Sequence, residues 1–337
     1  MLEFSLKAAA IDYEQLADRA QQCRQLETPI RIELHTFGAR DVTTEEGRRA
    51  VTANMRRLSE AYGEYRCVVH VPYQSVDEVT KTDFDARQVK QSIELAQEIE
   101  AEGVVLHRYW GLTYGPAPSR SNRPDAIAGF NDTILELAKG ADETQLMVEN
   151  VGHYSLLPRD GQHFLAGPLD HFFPWEMEAF RDFIEDNALD NVTLFADTAH
   201  ATLSANMFNL CRHGDGAIRD DPRFRWILDE DLQQAEHLHP FDFVRGDMTY
   251  LHVSDSRLLS DEETRTGRVS EERMIEATCS EGLEVGTGDL PWEKLGAAIN
   301  PGLGPVLVLE VEPGKGDSHQ SNRAQGRSLN ALRRALC

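Results

Sequence analysis

The stretch NVTLFADTAH, residues 191–200, decides how the chain is read. Thr193, Leu194, Phe195 and Ala196 read as a buried strand. Where it runs out stand Asp197 and, three residues later, His200. An aspartate capping the next helix and a histidine lining its first turn would explain the pair without any chemistry. Whether the same arrangement recurs elsewhere in the chain decides between a cap and a site.

It does recur. Seven other short apolar or alternating runs have this character: EFSLK (3–7), PIRIELHTF (29–37), RCVVHVPY (66–73), GVVLHRYW (103–110), QLMVEN (145–150), YLHVSD (250–255) and PVLVLEVE (305–312). Most are rich in Val, Ile, Leu or Phe, as strands covered on both faces are. Between them lie segments with helical periodicity, at 13–27, 43–63, 85–103, 125–141, 174–187 and 321–336. The second opens on a capping-box pattern, Thr43 to Glu46, and the third runs to Gly103 as a stop. Strand and helix alternating through the chain predict one (β/α)8 barrel domain over residues 1–337. A doubly wound sheet fits less well, because no Gly-x-Gly-x-x-Gly follows the first strand. The two longest connections, 151–173 and 201–249, read as insertions after the fifth and sixth strands.

Composition limits the function. The chain has 337 residues, 41% of them hydrophobic, enough for a large core. No apolar run approaches the roughly 20 residues that span a bilayer, and the N-terminus lacks the pattern of a secretory signal. Five scattered cysteines form no Cys-x-x-Cys pair, so the expectation is a cytoplasmic protein with reduced thiols. The formal charge of −23 opposes binding to nucleic acid. Abundant acidic residues beside 6 Lys and 28 Arg fit a salt-adapted surface.

Chemistry in such barrels sits where the strands end. Polar residues there are Glu33 and His35 on the second strand, His70 on the third and His107 with Arg108 on the fourth. Glu149 and Asn150 end the fifth, and Asp197 with His200 the sixth. His252, Asp255 and Arg257 follow on the seventh, and Glu310 and Glu312 on the eighth. So many ionisable groups are costly to bury unless they bind something. A divalent cation is the economical solution, and oxygen and nitrogen ligands without thiolate suit Mn²⁺, Co²⁺, Zn²⁺ or Mg²⁺. Glu312, beyond Glu310, is expected to face the helix layer.

The pieces MVEN (147–150), ADTAH (196–200), LHVSDSR (251–257), EVGTGDLPW (284–292) and LVLEV (307–311), in this order and spacing, resemble the xylose-isomerase-like barrel superfamily. That group includes sugar (phosphate) isomerases and epimerases, inosose and dehydroshikimate dehydratases, and endonuclease IV. The resemblance implies one metal held by Glu149, Asp197, His252 and Glu310, with His200 beside it touching substrate. For His70 and His107 it leaves two roles open: in endonuclease IV the corresponding positions bind further zinc ions, and in the sugar enzymes they often only line the pocket that holds substrate. Arg257 and Glu33 are further candidates for holding substrate, and Trp110 and Phe37 for walling the pocket.

The expected activity is isomerisation or epimerisation of a small sugar or related α-hydroxycarbonyl compound. A cation stabilises the enediolate, and Glu149 or Glu310 carries the proton. A dehydratase is the alternative, with His200 or His107 as the acid. An abasic-site endonuclease fits poorly. That family carries an Asp-x-His pair between the seventh strand and the Gly-x-Gly stretch, and residues 256–284 contain no histidine. A metal-free binding protein is the non-enzyme alternative. The expected partner is a small sugar-like molecule, with neither nucleic acid nor membrane, in a homodimer or homotetramer as is usual among the relatives.

Overall fold

The computed structural model describes residues 2–36, 38–72, 86–107, 112–114, 123–150, 155–159, 162–166, 173–214, 218 and 227–336. Phe37, Tyr73, Arg108, Trp110, His153 and His171 lie outside them. Eight parallel strands close into a barrel: β1 (Glu3–Ala9), β2 (Arg31–His35), β3 (Arg66–His70), β4 (Gly103–His107), β5 (Gln145–Glu149), β6 (Val192–Asp197), β7 (Tyr250–Val253) and β8 (Val306–Leu309). Each strand pairs with its neighbours in chain order, and β8 closes on β1 with Phe4 opposite Leu307. Every expected strand is present, so the (β/α)8 reading holds.

Side-chain alternation along the strands sorts the core into two parts. Outward residues such as Leu34, Val69, Leu106, Val148, Leu251 and Leu307 pack with helix residues such as Leu16, Val51, Met55 and Ile93 in the main hydrophobic layer. Inward residues Val68, Val105, Phe195, Tyr250, Val306 and Val308 form a separate apolar plug, with Met147 against it. Two residues further along the same strands stand His70, His107, Asp197, His252, Glu310 and, after Met147, Glu149. The period of two therefore stacks a charged layer directly above the plug, at the C-terminal mouth.

The structure differs from expectation in four places. Thr43 does not cap its helix, because it ends a short turn of helix, Arg40–Thr43. Thr44 is the cap of Glu45–Tyr62, its hydroxyl accepting from the Gly47 amide. Gly103 is not a helix stop: the helix ends at Glu98, and Gly103 opens β4. A Cβ there would lie 2.6 Å from the Gln145 carbonyl oxygen, so close strand pairing demands glycine. Residues 201–213 are not insertion but most of the helix Thr198–His213, buried from Thr198 through Cys211. Glu312 does not enter the helix layer. It is exposed at the rim, its amide bonded to Gly282. Within 151–173 lie the strands Ser155–Arg159 and Gln162–Ala166, the second of which also pairs with Leu112–Tyr114.

Beyond β7, Asp255 is fully buried and organises the GTGDLPW stretch. Its Oδ1 accepts from the amides of Ser256 and Leu290, and its Oδ2 from the Gly286 amide and the Trp292 indole. Gly288 lies so close that a Cβ would sit 2.3 Å from Asp255 Oδ1. Asp255→Ala strands several buried donors at about 1–3 kcal/mol each. We expect it to lower stability by about 3 kcal/mol, read by urea denaturation. A loss below about 1 kcal/mol would show that the loop does not depend on this carboxylate.

Candidate metal centre

Four groups converge at the mouth. Ligand atoms of Glu149, Asp197, His252 and Glu310 all lie within 4.8 Å of one another, and a second such group comprises His70, His107 and Glu149. Strand pairing helps build both: His252 is in register with Asp197 on β6, and His107 with Glu149. Asp197 ends its strand held by Asn150, whose Oδ1 accepts from the Asp197 amide at 2.5 Å. Asp197 Oδ1 in turn accepts from the His200 amide at 2.6 Å. Both readings of NVTLFADTAH therefore apply, because the aspartate caps the helix Thr198–His213 and also faces the cluster.

His252 is oriented for coordination. Its Nε2 faces Glu33 Oε2 at 2.7 Å, so that with a cation bound Nε2 donates to that carboxylate and Nδ1 supplies the lone pair. Nδ1 lies 2.6 Å from Glu310 Oε2 and 3.2 Å from Glu149 Oε1. All three atoms are buried and none has a hydrogen-bond partner. Orphaned buried polar atoms are expensive. Oxygen and imidazole lone pairs aimed at one point fit a divalent cation, and a carboxylate behind the ligating histidine is the usual second layer of such a centre.

The electrostatics agree with a site built around charge. Burial opposes ionisation of Glu149, but His252 and His107 outweigh it and hold the carboxyl well below its usual range. Burial likewise opposes protonation of His252, yet Glu149, Glu33 and Glu310 push its pKa well up. Asp197 is raised to about 7 by burial and by its carboxylate neighbours Glu149 and Glu310, against the pull of His200.

The other expected residues divide. His107 Nε2 lies 2.9 Å from Glu149 Oε2. His70 Nδ1 donates to the Val71 carbonyl, turning Nε2 toward Glu149 Oε2 at 3.8 Å. His200 Nδ1 lies 2.9 Å from the Asn150 carbonyl and 3.1 Å from Glu149 Oε1, and its Nε2 lies 3.5 Å from Glu281 Oε2. Glu33 stands behind His252. It is fully buried and also accepts from the Tyr250 hydroxyl. Arg257 is partly exposed and pairs with Asp289 at 3.5 Å. His237 and His239 serve the long connection after β6: His239 caps a turn of 3₁₀ helix and His237 lies beside Asn209.

Sequence reasoning missed Lys7 and Glu281. Lys7 Nζ pairs with Glu310 Oε1 and lies 3.6 Å from Glu33 Oε1. Burial opposes its charge, but Glu310 and Glu33 hold the ammonium above its ordinary range. The available signal was its place at the strand end of EFSLK in a chain with so few lysines.

Eight parallel strands carrying carboxylate and imidazole groups at their C-terminal ends define a barrel whose mouth can hold a cation. The chain belongs to the xylose isomerase-like TIM barrel family, whose profile matches residues 14–335. No curated protein sequence is similar enough to count as a match. Solved structures share the fold over nearly their whole length at low identity. A D-tagatose 3-epimerase-like protein is 17% identical with a TM-score of 0.54, covering 99% of this chain and 97% of that one. An L-ribulose 3-epimerase is 15% identical with a TM-score of 0.55, covering 99% and 96%. A xylose isomerase-like TIM barrel protein from Mycobacterium smegmatis, in complex with magnesium, is 14% identical with a TM-score of 0.54, covering 100% and 98%.

Proposed function

We propose that the protein is a divalent-metal-dependent isomerase or epimerase of a small sugar or related α-hydroxycarbonyl compound. The observation that carries this reading is the convergence of Glu149, Asp197, His252 and Glu310, with three buried polar atoms lacking hydrogen-bond partners. The epimerase names of two proteins of similar fold support it. When bound, the cation supplies a Lewis acid for negative charge developing on a substrate oxygen.

The chain's own groups do the rest. Glu149, faced by His107, His200 and His252, is the carboxylate that takes the proton beside the carbonyl. The Asn150 carbonyl holds Nδ1 of His200, so Nε2 faces Glu281 and meets the substrate hydroxyl. Glu33 and Tyr250 keep His252 in its tautomer. A dehydratase is the second reading, favoured by His200 standing 3.1 Å from Glu149, an acid beside a base for expelling a β-hydroxyl. Product formation from a panel of ketoses, inososes and dehydroshikimate separates the two. Turnover of none of them by cation-loaded protein would overturn both.

We propose one divalent cation per chain, held at this mouth. Elemental analysis of protein purified without chelator is expected to give a ratio near one. A ratio near zero, in protein that also refuses added Mn²⁺, Co²⁺ or Zn²⁺, would remove the site. The partner on this reading is a small molecule, handled by a homo-oligomer, and not nucleic acid. The formal charge of −23 and the absence of histidine from residues 256–284 motivate that. No incision of abasic duplex DNA is expected, and specific incision would replace the sugar reading with a nuclease.

A further inference from the structure

We propose that Lys7 is a positioning residue that makes Glu310 a one-oxygen ligand and thereby sets which cation the centre prefers. The inference rests on the metal centre proposed above and adds a residue on β1 to it. Lys7 is largely buried, with its side chain 11% exposed. Its ammonium divides between Glu310 Oε1 and Glu33 Oε1. The other oxygen of Glu310, Oε2, faces His252 Nδ1 at 2.6 Å and has no hydrogen-bond partner. One carboxylate thus points one oxygen at a fixed cation of the chain and the other into the cluster.

The ammonium is not a side chain that happened to fall there. Its backbone is gripped from two helices. The Lys7 amide donates to Gln325 Oε1 at 2.8 Å, and Gln325 Nε2 donates back to the Lys7 carbonyl at 2.9 Å. Arg19 Nε donates to the same carbonyl at 3.1 Å. Arg19 is itself almost fully buried and spends its other nitrogens on Asp18 and on the His319 and Gln320 carbonyls. Register adds a further constraint, placing Lys7 opposite Glu33. Side chains locked this way hold their partners to narrow geometry.

Two consequences follow from elementary electrostatics. A fixed positive charge on a ligand carboxylate repels an incoming cation and weakens that carboxylate as a donor. Occupying Oε1 also denies Glu310 a two-oxygen grip. Ca²⁺ readily takes carboxylates through both oxygens, whereas Mg²⁺ demands octahedral geometry and takes carboxylates sparingly. Lys7 therefore selects against Ca²⁺ at the cost of overall affinity.

The test is equilibrium binding of Mn²⁺, Mg²⁺ and Ca²⁺ by calorimetry, with no substrate present, to wild type, Lys7→Met and Lys7→Gln. Both variants are expected to bind Mn²⁺ about tenfold more tightly or better. They are also expected to gain more for Ca²⁺ than for Mg²⁺. A residue that only supported the fold would instead weaken binding of all three. Unchanged or weaker binding in a folded variant, with the Ca²⁺ to Mg²⁺ ratio unmoved, overturns the proposal. The unmodified protein gives an independent reading. It is expected to bind Mg²⁺ at least as tightly as Ca²⁺, and a tenfold preference for Ca²⁺ overturns the proposal even if neither variant folds. Absence of any cation binding in wild type would instead count against the centre itself.

Discussion

Glu149→Gln is expected to lower turnover by about 10²–10⁴, the usual worth of an acid–base step, and by more where the lost ligand charge adds to it. Glutamine has nearly the same shape and keeps one oxygen, but it cannot take a proton. Glu149 Oε2 faces His107 and its Oε1 faces His200 and His252, so the substitution also removes the negative charge these rings surround. Cation affinity should therefore fall, though less than turnover. Glu310→Gln should cost less in the chemical step, because Lys7 already occupies one oxygen of Glu310. Steady-state kinetics beside cation titration gives both numbers. Product formed in D₂O is expected to carry deuterium beside the carbonyl. Near-normal rates in both variants with the cation bound would sink the proton-carrying role. The two carboxylates would then be ligands only, the arrangement a hydride shift would use.

Stripping the cation is expected to abolish activity and to lower thermal stability together. Without it Glu149, Asp197 and Glu310 share one buried point, and the polar atoms facing it stay unsatisfied. A cation that binds only the folded chain stabilises by mass action, about 2.7 kcal/mol at a hundred times its dissociation constant. For a chain of this size that is a shift on the order of 5 °C. Melting curves with chelator and with added Mn²⁺, Zn²⁺ or Mg²⁺ measure it. A melting temperature indifferent to all three at millimolar concentration would argue that nothing binds at the mouth.

What the sequence disclosed follows from how each signal is generated. The eight strands were legible because both faces are covered, which leaves uninterrupted runs such as GVVLH and VLVL. The charged layer was legible because a barrel puts its chemistry at strand ends, and alternation carried it two residues past the plug. The helix Thr198–His213 was not, because burial on every side erases the amphipathic pattern by which a helix is read. Gly103 looked like a stop because a glycine demanded by a neighbouring backbone is written the same way as a glycine ending a helix. Lys7 and Glu281 escaped because their importance comes from partners distant in sequence, Glu33 and Glu310 for the first and His200 for the second, a relation no local window contains. Glu33 was seen, but its partner His252 lies 219 positions away, so its duty could not be.

The clamp on Lys7 also has a meaning in time. Lys7 and Gln325 are separated by 318 positions, and the strand that Gln325 secures is the first of the eight barrel strands to be synthesised. A nascent chain that ends before Val306 carries seven of the barrel strands and Arg19, but neither Glu310 nor Gln325, whose side chain holds both the amide and the carbonyl of Lys7. The centre is therefore completed only when synthesis has passed Gln325, and β1 waits with an unpaired edge until β8 arrives. Growing chains would be the form most exposed to mispairing, and the ability to take up a cation would report that the helix Arg323–Leu336, which carries Gln325, has docked.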